Sequence, residues 1–146
     1  MKLLFILVLA VLLIQGCKVD DIDDYSYQIS QYNIKIQALG IEYNNDYSKE
    51  IQNCKTRYID RYDKQSCVDD IRYDIKNIYS NILNILDLEV AANIKGYQIE
   101  GGAKKKILKC LKGFPLISLR DSCISDFNRE LGYETLNLKP KKKDST

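Results

Sequence analysis

The sequence predicts an all-α fold, a small bundle of four to five helices stapled by disulfides. Three observations carry this. Apolar residues recur at alternating steps of three and four along most of the chain, the period of one helix face. No segment shows the two-residue alternation of a strand. Four cysteines form two modules of equal spacing, Cys54 to Cys67 and Cys110 to Cys123, each enclosing twelve residues. The modules repeat their surroundings at an offset of 56: Ile51-Gln52-Asn53-Cys54 and Ser66-Cys67-Val68 read like Ile107-Leu108-Lys109-Cys110 and Ser122-Cys123-Ile124.

The chain opens with Lys2 and an unbroken apolar run from Leu3 to Ile14, followed by Gln15, Gly16 and Cys17. Residues 1–16 therefore read as a signal peptide. Twelve apolar residues fall short of the roughly 20 that a helix needs to span a bilayer. Beyond the leader, one helical domain is expected over 17–138 and a basic, disordered tail over 139–146. A mature part of this size can bury a core without metal help. Cys17 is the fifth cysteine, and its fate depends on where the leader is cut. Cleavage after it removes it, and cleavage before it leaves an unpaired thiol able to join another chain. Leu13-Ile14-Gln15-Gly16-Cys17 also resembles the lipobox of bacterial lipoproteins, which implies a lipid on Cys17 and a tethered surface protein; Gln15 departs from the small residue usual there.

The helices come in order along the chain. Ile22, Tyr25, Ile29, Tyr32, Ile36 and Leu39 line one stripe that ends at Gly40. Tyr47, Ile51, Cys54 and Tyr58 start afresh after Asn44-Asn45-Asp46, short polar residues suited to a turn and an N-cap. Val68, Ile71, Ile75, Ile78, Ile82 and Ile85 form the cleanest stripe, with Ser66 and Asp69 as a capping box and an end near Ala92. A second line through Tyr79, Leu83, Leu86 and Val90 widens its buried face and marks it as the central helix. Beyond Gly101-Gly102, residues Ala103 to Lys112 make a short helix stopped by Gly113 and Pro115. A last helix runs from Ser122 to Leu131, with Cys123, Ile124, Phe127 and Leu131 inward.

Four spaced cysteines behind an export leader read as two disulfides. The repeat favours local pairing, Cys54 with Cys67 and Cys110 with Cys123, the second bond stapling a helical hairpin across Gly113 to Asp121. Such a bond stabilises by about 3 kcal/mol in the chain-entropy model. The alternative is crossed pairing, Cys54 with Cys123 and Cys67 with Cys110. It applies if 55–65 stays helical, because a straight helix would hold Cys54 and Cys67 roughly 20 Å apart.

Chemistry-bearing motifs are missing. The chain has no histidine, which removes the commonest general base, the usual partner of a nucleophilic Ser or Cys, and mixed zinc sites. Cysteines twelve residues apart do not match the close pairs of a four-cysteine zinc site. Gly96 to Lys104 fails the phosphate-loop pattern, because Gly102 and Ala103 stand where Lys and Ser or Thr are required. Paired acids such as Asp20-Asp21, Asp23-Asp24 and Asp69-Asp70 lack a calcium-loop pattern and read as helix-start charge. No N-glycosylation sequence occurs. The sequence therefore predicts a protein that is not an enzyme and needs no metal or cofactor.

Two features point to binding. Eleven tyrosines include Tyr25, Tyr32, Tyr47, Tyr58 and Tyr79 on the inward stripes, where packing explains them better than a ligand cavity does. Charge is uneven: residues 18–100 carry ten basic against fifteen acidic side chains, and 101–146 carry eleven against five. Lys104, Lys105, Lys106, Lys109 and Lys112, with Lys139, Lys141, Lys142 and Lys143 in the tail, form a candidate anion-binding set for a sulfated glycan or anionic lipid surface. Aromatics do not interleave with these lysines, which argues against nucleic acid. In composition the chain is similar to small exported helical proteins with paired cysteines of saliva, venom or body fluid. The expectation is a secreted, extracellular, non-catalytic protein that binds an extracellular partner, most simply another protein. The alternative is a carrier with an inter-helix cavity for a lipid or small hydrophobic ligand.

Overall fold

The computed structural model describes residues 21–137. They form five helices, α1 (Asp21–Ala38), α2 (Ser48–Arg57), α3 (Arg61–Ile94), α4 (Ala103–Gly113) and α5 (Ile117–Asn137), with no strand among the described residues. The protein is the all-α, disulfide-stapled bundle that the apolar periodicity predicts. The expected leader, Cys17 and the lysine tail with Lys139, Lys141, Lys142 and Lys143 lie outside the described residues.

Side-chain hydrogen bonds give the directions of the three long helices. Gln65 Nε2 donates to Asp21 Oδ2 at 2.6 Å and Arg72 Nη1 to Gln28 Oε1 at 3.5 Å. Between α3 and α5, Asn81 Nδ2 donates to Ser125 Oγ at 3.0 Å and Asn84 Nδ2 to Asn128 Oδ1 at 2.8 Å. Each of these four pairs is separated by 44 residues. A constant difference means that both partners advance together, so α1, α3 and α5 run parallel, with α3 between the other two. Helix α3 has 34 residues and is roughly 50 Å long. The short α2 and α4 run back between them.

The core is an isoleucine seam. Ile29 and Ile36 of α1, Val68, Ile75, Ile78, Ile82 and Ile85 of α3, Ile107 and Leu111 of α4, and Ile124 and Leu131 of α5 are all at most 2 % exposed. Isoleucine holds essentially one rotamer on a helix, so little side-chain freedom remains to be lost when it packs. Each such side chain stabilises the fold by about 1.5–3 kcal/mol. The second line on α3 is only partly covered: Tyr79 and Leu86 pack on the core, but Leu83 is 37 % exposed and Val90 59 %. The cause is the length of α1. It ends at Ala38, level with Ile82 in the 44-residue register, and Gly40 at φ 74° turns the chain away.

Helix ends depart from the periodicity in two places. Helix α3 begins at Arg61, not at Ser66, because Asp60 is its N-cap and accepts from Tyr62 N at 2.7 Å. The Ser66–Asp69 capping box does not form. Helix α5 begins at Ile117, five residues before Ser122, and extends to Asn137. The connection between α4 and α5 is therefore only residues 114–116, and Cys123 sits in the second turn of α5. At the start of α2, Asp46 Oδ1 accepts from Ser48 N at 2.9 Å, so the expected polar turn is present, while Tyr47 occupies the cap itself without a side-chain bond.

Two further ends are capped by side chains from α3 and from the residue that follows it. Glu89 Oε1 accepts from Ala103 N at 2.8 Å, supplying an oxygen that Gly102 at the N-cap lacks. Lys95, directly after α3, donates from Nζ to Thr135 O at 2.8 Å near the end of α5, where a cation meets the negative end of the helix.

Candidate functional site

The two cysteine modules become two stapled hairpins. Cys54 bonds Cys67 across α2 and α3, and Cys110 bonds Cys123 across α4 and α5, each with Cα atoms 5.6 Å apart. The crossed alternative is excluded by the turn at Tyr58–Asp60. Tyr58 is extended at φ −104° and ψ 142°, and Asp60 restarts the helix. Two intramolecular disulfides are the chemistry of an oxidising compartment. No helix among the described residues is long and apolar enough to cross a membrane.

Each stapled turn exposes apolar side chains. On the first, Ile59 is 98 % exposed and Tyr62 76 %, beside half-buried Tyr58, whose ring Arg57 approaches at 5.6 Å. On the second, Phe114, Leu116 and Leu119 are exposed. Tyr58 and Phe114 are 56 residues apart, so the aromatic position follows the cysteine repeat. Because α3 and α5 run parallel, both turns point toward the same pole. The 44-residue register sets Ile117 level with Tyr73, twelve residues from the start of α3, so the second turn is set back by roughly 18 Å.

A buried polar cluster holds the second turn to the scaffold. Arg120 is 8 % exposed. Its Nε donates to Phe114 O at 2.8 Å, Nη2 to Pro115 O at 3.1 Å and Nη1 to Tyr43 Oη at 2.8 Å. Tyr43 Oη is 3.4 Å from Tyr47 Oη. Burial pushes the phenol of Tyr43 up from its ordinary range, against the opposing pull of Tyr47 and Arg120, and burial raises that of Tyr47 as well. The Glu50 carboxyl is raised by burial and held back by Arg120. All three nitrogens of the guanidinium are engaged, so this cluster is structural rather than a vacant anion site. Periodicity does not reveal it, because Arg120 occupies an apolar position of the stripe Ile117, Arg120, Ile124, Phe127, Leu131, and Tyr43 lies outside any periodic segment.

The lysines of α4 divide by surroundings. Its buried face is Ala103, Ile107, Cys110 and Leu111, so all five lysines are exposed. Lys104 Nζ approaches the backbone at Gly40, the C-terminal end of α1, so closely that a Cβ there would lie 2.8 Å from it. Lys106 Nζ stands 5.3 Å from the centroid of the Phe127 ring. Lys105, Lys109 and Lys112 line an open groove with Leu108, Lys106 borders it as well, and Glu100 is the acidic side chain on its rim. The tail lysines lie outside the described residues.

Four tyrosines of the inward stripes are scaffold, and the fifth, Tyr58, lies half-buried on the first turn. Tyr47 is buried, and Tyr25, Tyr32 and Tyr79 pack against the core. The Tyr32 and Tyr79 rings lie 5.8 Å apart, with Lys35 Nζ over both. A cleft between α1 and the start of α2 is lined by polar Asn33, Gln37 and Asn45 together with apolar Ile29, Tyr47 and Ile51. Among the described residues no group of three or more Cys, Asp or Glu side chains is arranged to hold a metal ion.

No protein-family model matches the chain, no curated protein matches its sequence and no solved structure matches its fold.

Proposed function

We propose that this is a secreted, non-catalytic protein that binds an extracellular protein partner through the turn between α2 and α3. The observation that supports it is the composition of that turn. Ile59 and Tyr62 project into solvent beside Tyr58 and Arg57, on a hairpin held rigid by Cys54–Cys67. Exposed apolar and aromatic side chains with an adjacent arginine match the residue types that anchor protein interfaces. Stapling reduces the ordering cost that a mobile loop would incur on binding. Charges of both signs, Arg57, Asp60 and Asp63, surround the turn and suit a mixed-charge protein surface better than a polyanion.

The test is quantitative capture from the fluid into which the protein is secreted, comparing the native protein with Ile59→Ser and Tyr62→Ser. Both side chains are exposed, so helicity and disulfide mapping are expected to stay unchanged while one specific captured protein is lost. Equal capture by native and variant proteins would overturn the reading.

A further inference from the structure

The second stapled turn carries a different charge pattern. Helix α4 has five lysines and no acidic residue in eleven positions. Lys105, Lys109 and Lys112 are spaced i, i+4 and i+7 along the exposed face, a column roughly 10 Å long. The column ends at the turn, where Phe114, Leu116 and Leu119 are 39 %, 57 % and 44 % exposed. Leu108 adds a half-buried apolar side chain between the lysines. A cationic column that runs into a rigid apolar tip presents two chemistries together. A sulfated polysaccharide would use only the first.

We propose that the α4–α5 hairpin is a docking element for an anionic lipid bilayer. Lys105, Lys109 and Lys112 meet the phosphate and carboxylate headgroups, and Phe114, Leu116 and Leu119 enter the interface between headgroups and acyl chains. Charge complementarity supplies the attraction, at about 1 kcal/mol for each lysine near the surface. Burial of the apolar tip adds the term that keeps the protein at the interface. The arrangement is rigid, because Cys110–Cys123 closes the hairpin and Arg120 grips the carbonyls of Phe114 and Pro115 from below. Glu100 on the groove rim subtracts from the attraction at the Lys105 end of the column, where Lys105 lies against Gly101. This inference uses a different turn from the one proposed for the protein partner, and each stands or falls alone.

The chain contains no tryptophan, so Leu116→Trp provides a single fluorescent reporter at the tip. The protein is titrated with vesicles of phosphatidylcholine alone and of phosphatidylcholine with one-third phosphatidylserine. A blue-shifted emission and co-sedimentation with the anionic vesicles only are expected. The triple variant Lys105→Glu, Lys109→Glu, Lys112→Glu is expected to bind them at least about 100-fold more weakly. Phe114→Ser with Leu119→Ser is expected to abolish the emission shift. Ile59→Ser is expected to leave vesicle binding unchanged. Absence of binding, equal binding to neutral vesicles, or binding to heparin without any emission shift on vesicles would overturn the proposal. In each of those cases capture that depends on Ile59 would still stand.

Discussion

Arg120 and Tyr43 are joined by a 2.8 Å hydrogen bond between residues 77 positions apart, which ties the loop after α1 to the first turn of α5. The same guanidinium holds the carbonyls of Phe114 and Pro115, so one side chain positions the whole second turn. A planar fork can serve three acceptors in fixed directions, which a lysine ammonium cannot. Arg120→Met keeps the apolar stem and strips the donors. It is expected to cost about 2–4 kcal/mol, because polar groups are left without their partner. Tyr43→Phe is expected to cost about 1 kcal/mol. Urea denaturation of both single variants and the double variant checks this, and strictly additive losses would show that the two residues do not act together.

The Asp74 carboxyl is pushed up to about 6 by burial, with repulsion from Asp121 and Asp70 adding to it. Asp121 is also raised by burial, although hydrogen bonds with Asn77 and Ser125 oppose the shift. A carboxyl raised in the folded state takes up a proton on folding at pH values between its ordinary range and about 6. Stability is therefore expected to increase as pH falls from about 7 through 6 and to level off once the unfolded chain is protonated too. Asp74→Asn is expected to stabilise at neutral pH by about 1 kcal/mol, since solvent screens a partly exposed carboxyl. It should also flatten the profile between about pH 4.5 and 7. A variant whose pH profile matched the native one would refute the assignment.

Peptide mapping without reduction is expected to recover Cys54 with Cys67 and Cys110 with Cys123. Replacing both Cys110 and Cys123 by Ser is expected to cost about 3 kcal/mol through the larger freedom of the unfolded chain. Hydrogen exchange in that variant should rise first in residues 112–118, with α3 still protected. A crossed peptide in the map would contradict the hairpins outright.

Asn81, Asn84 and Asn128 form a ladder between α3 and α5, in which Asn128 Nδ2 also donates to Asn81 Oδ1 at 2.8 Å. Asn128→Ala removes a partner from both α3 asparagines and is expected to cost about 1–3 kcal/mol. Glu89→Ala uncaps α4 and is expected to cost about 1 kcal/mol. Thermal melting of each variant by circular dichroism provides the comparison. Losses below measurement error would mean that apolar packing alone sets the α3–α5 register.

Much of this arrangement is legible in the order of the amino acids. The stripes of α1 and α3, the stop at Gly113 and the local disulfides arise from periodicity, glycine and a repeat. Less is legible where two local signals compete. Asp60 and Ser66 both offer an oxygen with an acidic residue three positions later, and in the fold Asp60 is the one that caps the helix, accepting from Tyr62 N. Ile117 is hidden as a helix start because Arg120 breaks the apolar pattern, although it is buried with three acceptors that all lie outside α5.

By itself the sequence determined the helical class and most of the inward faces, because these depend on residues within a turn or two of one another; its repeat favoured the local pairing, which the break at Tyr58–Asp60 settled. The tertiary structure alone decided which lysines face the groove, that Leu83 and Val90 stay in solvent, and that both stapled turns share a pole. Those outcomes depend on where a neighbouring helix ends and on the 44-residue register. Contacts between side chains far apart in the chain set that register, and no local pattern encodes it.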